Sequence, residues 1–112
     1  MTASVTLYHN PRCSTSRASL EMLRARGVEP TIVEYLKTGW DRPTLERLAQ
    51  GAGGVRALLR AKEPGAAALK GVADEALIAA MIADPILVER PVAESGKGVR
   101  IGRPPEAVLE IL

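Results

Sequence analysis

The sequence predicts an α/β fold whose mixed β-sheet is built from a βαβ half and a ββα half, with helices inserted between them. Three features support this prediction: a strand–helix–strand pattern over residues 5–36, helical patterns from about residue 40 to 84, and two extended segments joined by a turn near the C-terminus. A chain of 112 residues has the size of one ordinary domain. We therefore expect a single domain over residues 1–112, with a helical insertion at about 40–84.

The N-terminal half reads as a βαβ unit. Residues 5–8 form a short apolar segment that is typical of a strand, and residues 31–36 are a second strand rich in β-branched side chains. A helix is predicted between them from Ser14, and Gly27 is placed to end it. Because a helical crossover of this kind joins parallel strands, these two strands should be parallel.

The insertion is predicted to be helical. Asp41 is a suitable N-cap and is followed by Pro43 in the first turn of a helix. Residues 55–59 and 74–83 continue the helical spacing of apolar side chains, and Pro85 ends the last helix of the insertion.

The C-terminal half reads as a hairpin followed by a helix. Residues 86–88 and 91–93 are expected to be extended, residues 94–98 to form a turn, and residues 99–101 to return as the second strand. The proline pair that follows opens a final helix. A βαβ unit, a helical insertion, a hairpin and a helix, in that order, are the elements of a thioredoxin-like fold.

The composition limits the compartment and the partners. The formal net charge is only +2, and the cations are interspersed with 13 acids and few aromatic residues, so nucleic-acid binding is not expected. No stretch is apolar enough to span a bilayer, and the N-terminus lacks a secretory signal. One cysteine and one histidine cannot build an ordinary zinc site or an internal disulfide. We expect a cytoplasmic monomer that binds no metal, no membrane and no nucleic acid.

Cys13 lies where the first strand ends and the first helix begins. The unpaired N–H groups of a first helical turn stabilise a negative charge, and they therefore lower the pKa of a thiol placed there. His9, Arg12 and Arg17 are close in sequence, and each can add positive charge. An isolated cysteine is often buried and unreactive, and the three cations can serve solubility or local structure. The polar neighbours of Cys13 favour a reactive thiolate.

Turnover at Cys13 requires a thiol from another molecule. Ser16 gives the pattern Cys-x-x-Ser where dithiol oxidoreductases carry Cys-x-x-Cys, and the chain has no second cysteine. Because an internal disulfide cannot form, the second electron-donating thiol must come from outside. Glutathione is the obvious supplier, so we expect it as a co-substrate and expect no bound cofactor.

Four segments carry a resemblance to a known family. Residues 8–17, which read Tyr-His-Asn-Pro-Arg-Cys-Ser-Thr-Ser-Arg, resemble the active-site segment of the thioredoxin-fold arsenate reductases that use glutathione and glutaredoxin. Residues 55–60, 85–91 and 101–106 match three further motifs of that family in order and spacing. The similarity covers practically the whole chain, and it implies reduction of arsenate to arsenite.

The resemblance also implies roles for individual residues. Cys13 matches the nucleophile of the family, and His9 matches a histidine thought to help keep that cysteine ionised. Pro91 falls where the thioredoxin fold places a cis-proline beside the thiol, so we predict a cis bond before it. Three arginines match those that hold the arsenate oxyanion and the reduced arsenic intermediate: Arg60, Arg90 and Arg103. Apart from the matched roles, the sequence offers Arg17, Ser16 and Pro91 as secondary candidates for the site.

The implied reaction begins when the Cys13 thiolate attacks an arginine-bound arsenate and displaces an oxygen as water. Glutathione then joins the adduct, and As(V) becomes As(III). Glutaredoxin finally attacks the glutathione linkage, and arsenite is released.

Two other functions are compatible with the sequence. A glutathione-dependent thiol–disulfide reductase resembling a monothiol glutaredoxin would suit Cys-x-x-Ser, although the three arginines would then have no oxyanion to bind. A non-enzymatic regulator of the Spx type shares the fold and binds RNA polymerase, but such regulators commonly use a Cys-x-x-Cys switch that Ser16 removes. Arsenate-dependent turnover separates the three functions.

Overall fold

The computed structural model describes residues 4–112, which form two compact units. The first unit combines the chain up to Thr38 with Arg90–Leu112, and the second is Gly39–Glu89. The predicted helical insertion at about 40–84 falls within the second unit. Residues 1–3 of the predicted domain lie outside the described residues.

The first unit is built on a four-stranded mixed sheet in the order β2-β1-β3-β4. Strand β1 pairs in parallel with β2, so that Leu7 lies opposite Ile32. It pairs antiparallel with β3, which forms an antiparallel hairpin with β4. The predicted α/β class, the mixed sheet and the parallel first pair are therefore confirmed. The four strands are β1 (Thr6–Tyr8), β2 (Thr31–Val33), β3 (Val92–Ser95) and β4 (Gly98–Ile101).

Helix α1 (Ser14–Ala25) connects β1 to β2 and packs its apolar face on the sheet. It ends as predicted at Gly27, whose φ of 78° lies in the left-handed region that glycine adopts without strain. Gly27 and Val28 donate their N–H groups to carbonyls of the last turn, which completes a Schellman motif. The shared core consists of buried aliphatic side chains from α1, the sheet and the C-terminal helix: Val5, Leu7, Leu20, Leu23, Ala93, Val108 and Ile111.

Two predicted extended segments are helical in the structure. The second strand ends at Val33 instead of residue 36, because the Glu34 carbonyl accepts the N–H groups of Lys37 and Thr38 and starts a short helix, α2 (Tyr35–Thr38). Of residues 86–88, only Val88 is extended as predicted, because Pro85–Leu87 is a 3₁₀ helix in which proline presets a helical φ at the first position.

The C-terminal elements follow the prediction with two adjustments. The turn between β3 and β4 is limited to two residues, because Ser95 pairs with Gly98 in the ladder. The final helix is present, but Pro105–Ile111 is of the 3₁₀ type, with bonds such as that from Ala107 N–H to the Pro104 carbonyl at 2.9 Å.

The second unit is entirely helical apart from its turns and one bridge. Asp41 caps the first of its helices as predicted, since its Oδ1 accepts the Thr44 N–H at 2.8 Å. Leu59 and Val88 form an isolated antiparallel bridge. Within residues 4–112, no helix combines the length and apolarity needed to cross a membrane. The helices are α3 (Arg42–Ala52), α4 (Val55–Leu58) and α5 (Asp74–Ala83), with 3₁₀ helices at Pro64–Leu69 and Pro85–Leu87.

Gly102 is required where β4 leaves the sheet, because three side-chain atoms occupy the place of a Cβ. An added Cβ would lie 2.6 Å from Pro91 Cγ and 2.7 Å from Ser19 Oγ. Both neighbours are fixed, since Ser19 is buried and bonded to the Pro105 carbonyl and Pro91 has a rigid ring.

We expect Gly102→Ala to lower the free energy of unfolding by about 3 kcal/mol, the upper end of the usual cost of overpacking. Urea denaturation measures this change. Gly96→Ala is the matched control, because a Cβ there meets nothing within 4 Å and its φ is not positive. It should stay within about 0.5 kcal/mol of the parent. Equal losses in the two variants would contradict the packing argument.

Candidate active site

The loop from β1 to α1 is held in place by its own hydrogen bonds. The His9 N–H continues the sheet by donating to the Val33 carbonyl at 2.8 Å. The side-chain oxygen of Asn10 accepts a hydrogen bond from the Arg12 N–H at 3.0 Å, and the backbone carbonyl of Asn10 accepts one from the Cys13 N–H at 3.0 Å. An Asn-Pro pair favours such a turn. The loop therefore delivers Cys13 to one fixed position at the start of the helix.

Cys13 is the N-cap residue of α1, as the sequence predicts. Its backbone is extended, with φ −92° and ψ 121°, and its carbonyl accepts the Arg17 N–H at 3.0 Å. The side chain is half-buried instead of lying in the aliphatic core. The backbone N–H groups of Thr15 and Ser16, in the first turn of the helix, lower the pKa of its thiol. The alternative in which this cysteine is buried in the core is therefore wrong, and its reactivity stays a prediction.

Two guanidinium groups of the first unit also reach the sulfur. The Arg90 side chain donates a hydrogen bond to it, and Arg103 Nη2 lies 3.9 Å from Sγ. Strand register explains this convergence: Tyr8 pairs with Val92, which pairs with Ile101. The chain segments that carry Cys13, Arg90 and Arg103 consequently leave the sheet at the same edge.

Burial raises the pKa of Cys13 and is the largest single influence on it. Hydrogen bonds from the Ser16 N–H, the Arg90 side chain and the Thr15 N–H act in the opposite direction, and the charge of Arg90 adds to them. The sum holds the pKa of Cys13 below its ordinary value. The thiolate is thus favoured where the sequence predicts it.

His9 contacts Ser16 in the first turn of α1. Both side chains are buried, and His9 Nδ1 lies 2.6 Å from Ser16 Oγ, which also accepts the Asn10 N–H at 3.1 Å. Burial is the main reason that the pKa of His9 lies below its ordinary value. Burial thus favours the neutral imidazole, which adds no positive charge, and the role of His9 in keeping Cys13 ionised stays a prediction. Its hydrogen bond instead joins the loop to the first turn of the helix.

Both peptide bonds that follow the two sulfur-facing arginines are cis. The predicted cis bond between Arg90 and Pro91 is confirmed. A second cis bond, between Arg103 and Pro104, is not among the sequence predictions. The Gly102 N–H donates to the Pro91 carbonyl at 2.8 Å and ties the two segments together.

Arg60 belongs to the second unit and is held by two carboxylates. Its Nε lies 3.0 Å from Glu63 Oε1, and its Nη1 lies 3.6 Å from Glu89 Oε1. Its side chain is only 19% exposed, so it is not a solvated cation at a helix end. The sequence analysis missed both carboxylate partners: the three-residue spacing to Glu63 marks a neighbour only inside a helix, and Glu89 is distant in the chain. The oxyanion-binding role of Arg60 stays a prediction.

The other cations near the thiol have different positions. Arg17 Nη1 donates to the Pro11 carbonyl at 2.8 Å and braces the loop from the outside. The Arg12 side chain is exposed. Across residues 4–112, no three His, Cys, Asp or Glu side chains are grouped so that they could hold a metal ion together.

Comparisons with known proteins agree with this geometry. The model of the ArsC family matches residues 8–111. The chain is 47% identical to an uncharacterised protein, YfgD, of Escherichia coli K12, covering 100% of this chain and 99% of that protein. It is also 47% identical to an arsenate reductase of Escherichia coli K12, covering 98% of this chain and 82% of the relative.

A solved structure, described as an arsenate reductase from Vibrio cholerae, superposes with a TM-score of 0.93 at 43% identity over the full length of both chains. This agreement confirms the thioredoxin-like fold predicted from the order of elements. The family model spans the thiol loop, both sulfur-facing arginines and Arg60. The chain belongs to the ArsC family.

Proposed function

We propose that this protein is an arsenate reductase in which Cys13 is the nucleophile and glutathione and glutaredoxin supply the electrons. The observation that carries the proposal is the position of the Cys13 sulfur at the start of α1, where first-turn N–H groups and Arg90 lower its pKa and Arg103 lies 3.9 Å away. Relatives named arsenate reductase, at 42–47% identity, support the choice of substrate.

The two arginines suit a tetrahedral oxyanion as substrate. Guanidinium groups stay charged at all physiological pH values, and their planar donors bind oxyanions through paired hydrogen bonds. Arg90 and Arg103 therefore bind arsenate and reduce its repulsion for the anionic sulfur that attacks it. A simple thiol–disulfide exchange would not need two such cations at the sulfur.

The proposed reaction conserves atoms and electrons. The Cys13 thiolate forms an S–As bond, and one oxygen of the arsenate leaves as water after protonation. The thiol of glutathione forms a second S–As bond and displaces another oxygen as water. The thiol of glutaredoxin then attacks the glutathione sulfur, a disulfide leaves, and the electron pair of the broken bond reduces As(V) to As(III). Hydrolysis releases arsenite and restores Cys13.

The proposal has three further parts. An oxyanion-binding role of Arg60 is proposed from the resemblance of residues 55–60 to a motif of the family. The protein acts in the cytoplasm, because a single cysteine suits a reducing compartment. It acts as a monomer, because the exposed large hydrophobic side chains found within residues 4–112 are few: Ile32, Leu36 and Ile82.

The test is an assay of NADPH oxidation with arsenate, glutathione, glutaredoxin and glutathione reductase. Arsenate-dependent oxidation that requires every component is the expected result. Turnover of a mixed glutathione disulfide without any response to arsenate would contradict the proposal and favour a thiol–disulfide reductase. Co-purification with RNA polymerase and no turnover would favour the regulator.

The pH dependence of Cys13 alkylation tests the thiolate directly. Only the thiolate reacts with iodoacetamide, so the rate should rise with pH and reach half its plateau at the pKa of Cys13. We expect this midpoint to lie below that of the urea-unfolded chain, which is a clean reference because no other cysteine is present. Equal midpoints for the folded and unfolded chains would contradict the lowered pKa of Cys13.

The same shift has a consequence for stability. Because the pKa of Cys13 is lower in the folded state, ionisation of the thiol stabilises the fold. This stabilisation is fully present above the pKa of the unfolded chain. It is lost as the pH falls through the pKa of the folded protein.

A further inference from the structure

A second recess in the first unit lies beside the loop that carries Cys13. It is a pocket of about 250 Å³, lined on one side by loop residues 9–12 and on the other by Glu34, Leu36 and Lys37. This volume is slightly below the usual lower end of about 300 Å³ for small-ligand sites. Cys13 follows directly on the lining segment, so a molecule bound here lies against the loop that carries the thiol. The arsenate-binding arginines of the first unit, Arg90 and Arg103, do not line it.

The lining has a definite charge pattern. Arg12 and Lys37 contribute two positive charges and Glu34 one negative charge, while burial favours the neutral form of His9. The pocket therefore carries one net positive charge. The Lys37 side chain is 78% exposed, and its ammonium lies 3.4 Å from Glu34. Because an ammonium group has three N–H donors, this ion pair leaves donors for a ligand. Pro11 and Leu36 provide apolar surface between the charged groups.

We propose that this pocket binds the small thiol co-substrate as an anionic peptide thiol, the chemical class of glutathione. Such a molecule has two carboxylates, one ammonium group and one net negative charge at neutral pH, which complements the pocket. Arg12 and Lys37 bind the carboxylates, Glu34 binds the ammonium group, and the peptide chain lies on Pro11 and Leu36. This assignment rests on the proposed function for its chemistry, since a chain with one cysteine must take its second thiol from outside.

The pocket fits the step in which the second thiol attacks. The bound thiol forms its S–As bond with the Cys13 adduct as an arsenic-bound oxygen leaves as water. No oxidation state changes in that step. Binding at the His9–Arg12 side keeps the thiol away from the two guanidinium groups, which stay on the arsenate. A protein thiol would need a broad contact surface, whereas the observed charges are grouped within one small recess.

The test uses S-methylglutathione, which keeps every charge of glutathione but cannot react. Titration of the ¹⁵N-labelled full chain should shift the amide resonances of His9, Asn10 and Arg12 and of residues 34–37. Lys37→Glu should raise the dissociation constant about five- to tenfold, because the exposed ion pair with a carboxylate of the probe is replaced by a repulsion. Arg26→Glu is the matched control, since Arg26 is an exposed cation at the far end of α1 and its replacement makes the same charge change. It should leave the dissociation constant unchanged.

Turnover separates this proposal from the proposed function. With arsenate saturating, Lys37→Glu should raise the KM for glutathione about five- to tenfold and leave single-turnover attack on arsenate unchanged. Binding of S-methylglutathione at the pocket without any arsenate turnover would remove the proposed function and keep the pocket. Three results would overturn the pocket assignment. They are resonance shifts elsewhere in the chain, equal affinity of Lys37→Glu and the parent for the probe, and no binding at roughly 10 mM probe, a concentration that detects millimolar affinities. A raised KM for glutaredoxin alone would assign the recess to a protein thiol and also overturn it.

Discussion

Replacing Cys13 with serine is expected to abolish arsenate reduction, with a loss of about 10⁴-fold or more in kcat. A serine hydroxyl is not ionised at neutral pH, so the hydrogen bonds from Thr15 and Ser16 have no thiolate to stabilise. No other cysteine can take over, because the chain contains only one. The coupled NADPH assay measures the loss.

The fold provides the control for this variant. Cys13 occupies the N-cap position, where serine is a favoured residue, and its side chain is not part of the buried core. The urea midpoint of Cys13→Ser should therefore stay close to that of the parent, and calorimetry should still detect arsenate binding through the arginines. Residual turnover above about 1% of the parent rate, against the loss of 10⁴ expected for a nucleophile, would remove Cys13 from that role.

Arg90→Ala is expected to have the next largest effect, a loss of about 10²–10³-fold in kcat/KM for arsenate. The side chain of Arg90 donates to the Cys13 sulfur and its charge lowers the pKa of the thiol. Removing it takes away a donor to the oxyanion and part of the stabilisation of the nucleophile. Two readouts should change together: turnover should fall, and the midpoint of alkylation against pH should rise.

Two further variants isolate the part of the guanidinium in this effect. Arg90→Lys keeps the charge but loses the planar pair of donors, so turnover should lie between that of Arg90→Ala and the parent. Arg100→Ala is the matched control, because Arg100 lies on β4 with its guanidinium paired to Glu110 and 43% of its side chain exposed. It should leave the alkylation midpoint and turnover unchanged. A fall in turnover for Arg90→Ala with no change in the midpoint would show that Arg90 does not stabilise the thiolate.

Elements with strong local signals were predictable from the sequence. Asp41 with Pro43 marks a helix start, Gly27 marks a helix end, and both function as their residue types require. The misread segments are short and apolar. Tyr35 and Leu36 continue a β-like pattern, yet Tyr35 is fully buried at the start of a helical turn. Periodicity cannot separate a short strand from one helical turn, so tertiary packing decides such segments.

The candidate site divides in a similar way. The position of Cys13 at a helix start follows from the local pattern, and so does the prediction that first-turn N–H groups favour its thiolate. The contact between His9 and Ser16 carries no sequence signal, because burial sets both their distance and the protonation state of the imidazole. The second cis bond, before Pro104, is likewise invisible in the sequence.

The sequence by itself determined which groups are available for chemistry: one thiol, no second cysteine to resolve it, and a set of arginines in a recognisable order. Only the tertiary structure decided which of these groups meet. Arg90 and Arg103 follow Cys13 by 77 and 90 positions in the chain. They reach its sulfur because β3 begins and β4 ends at the edge of the sheet where β1 ends. Local propensity acts over a few residues, whereas strand register acts over the whole chain, and the register is set by burying one face of the sheet.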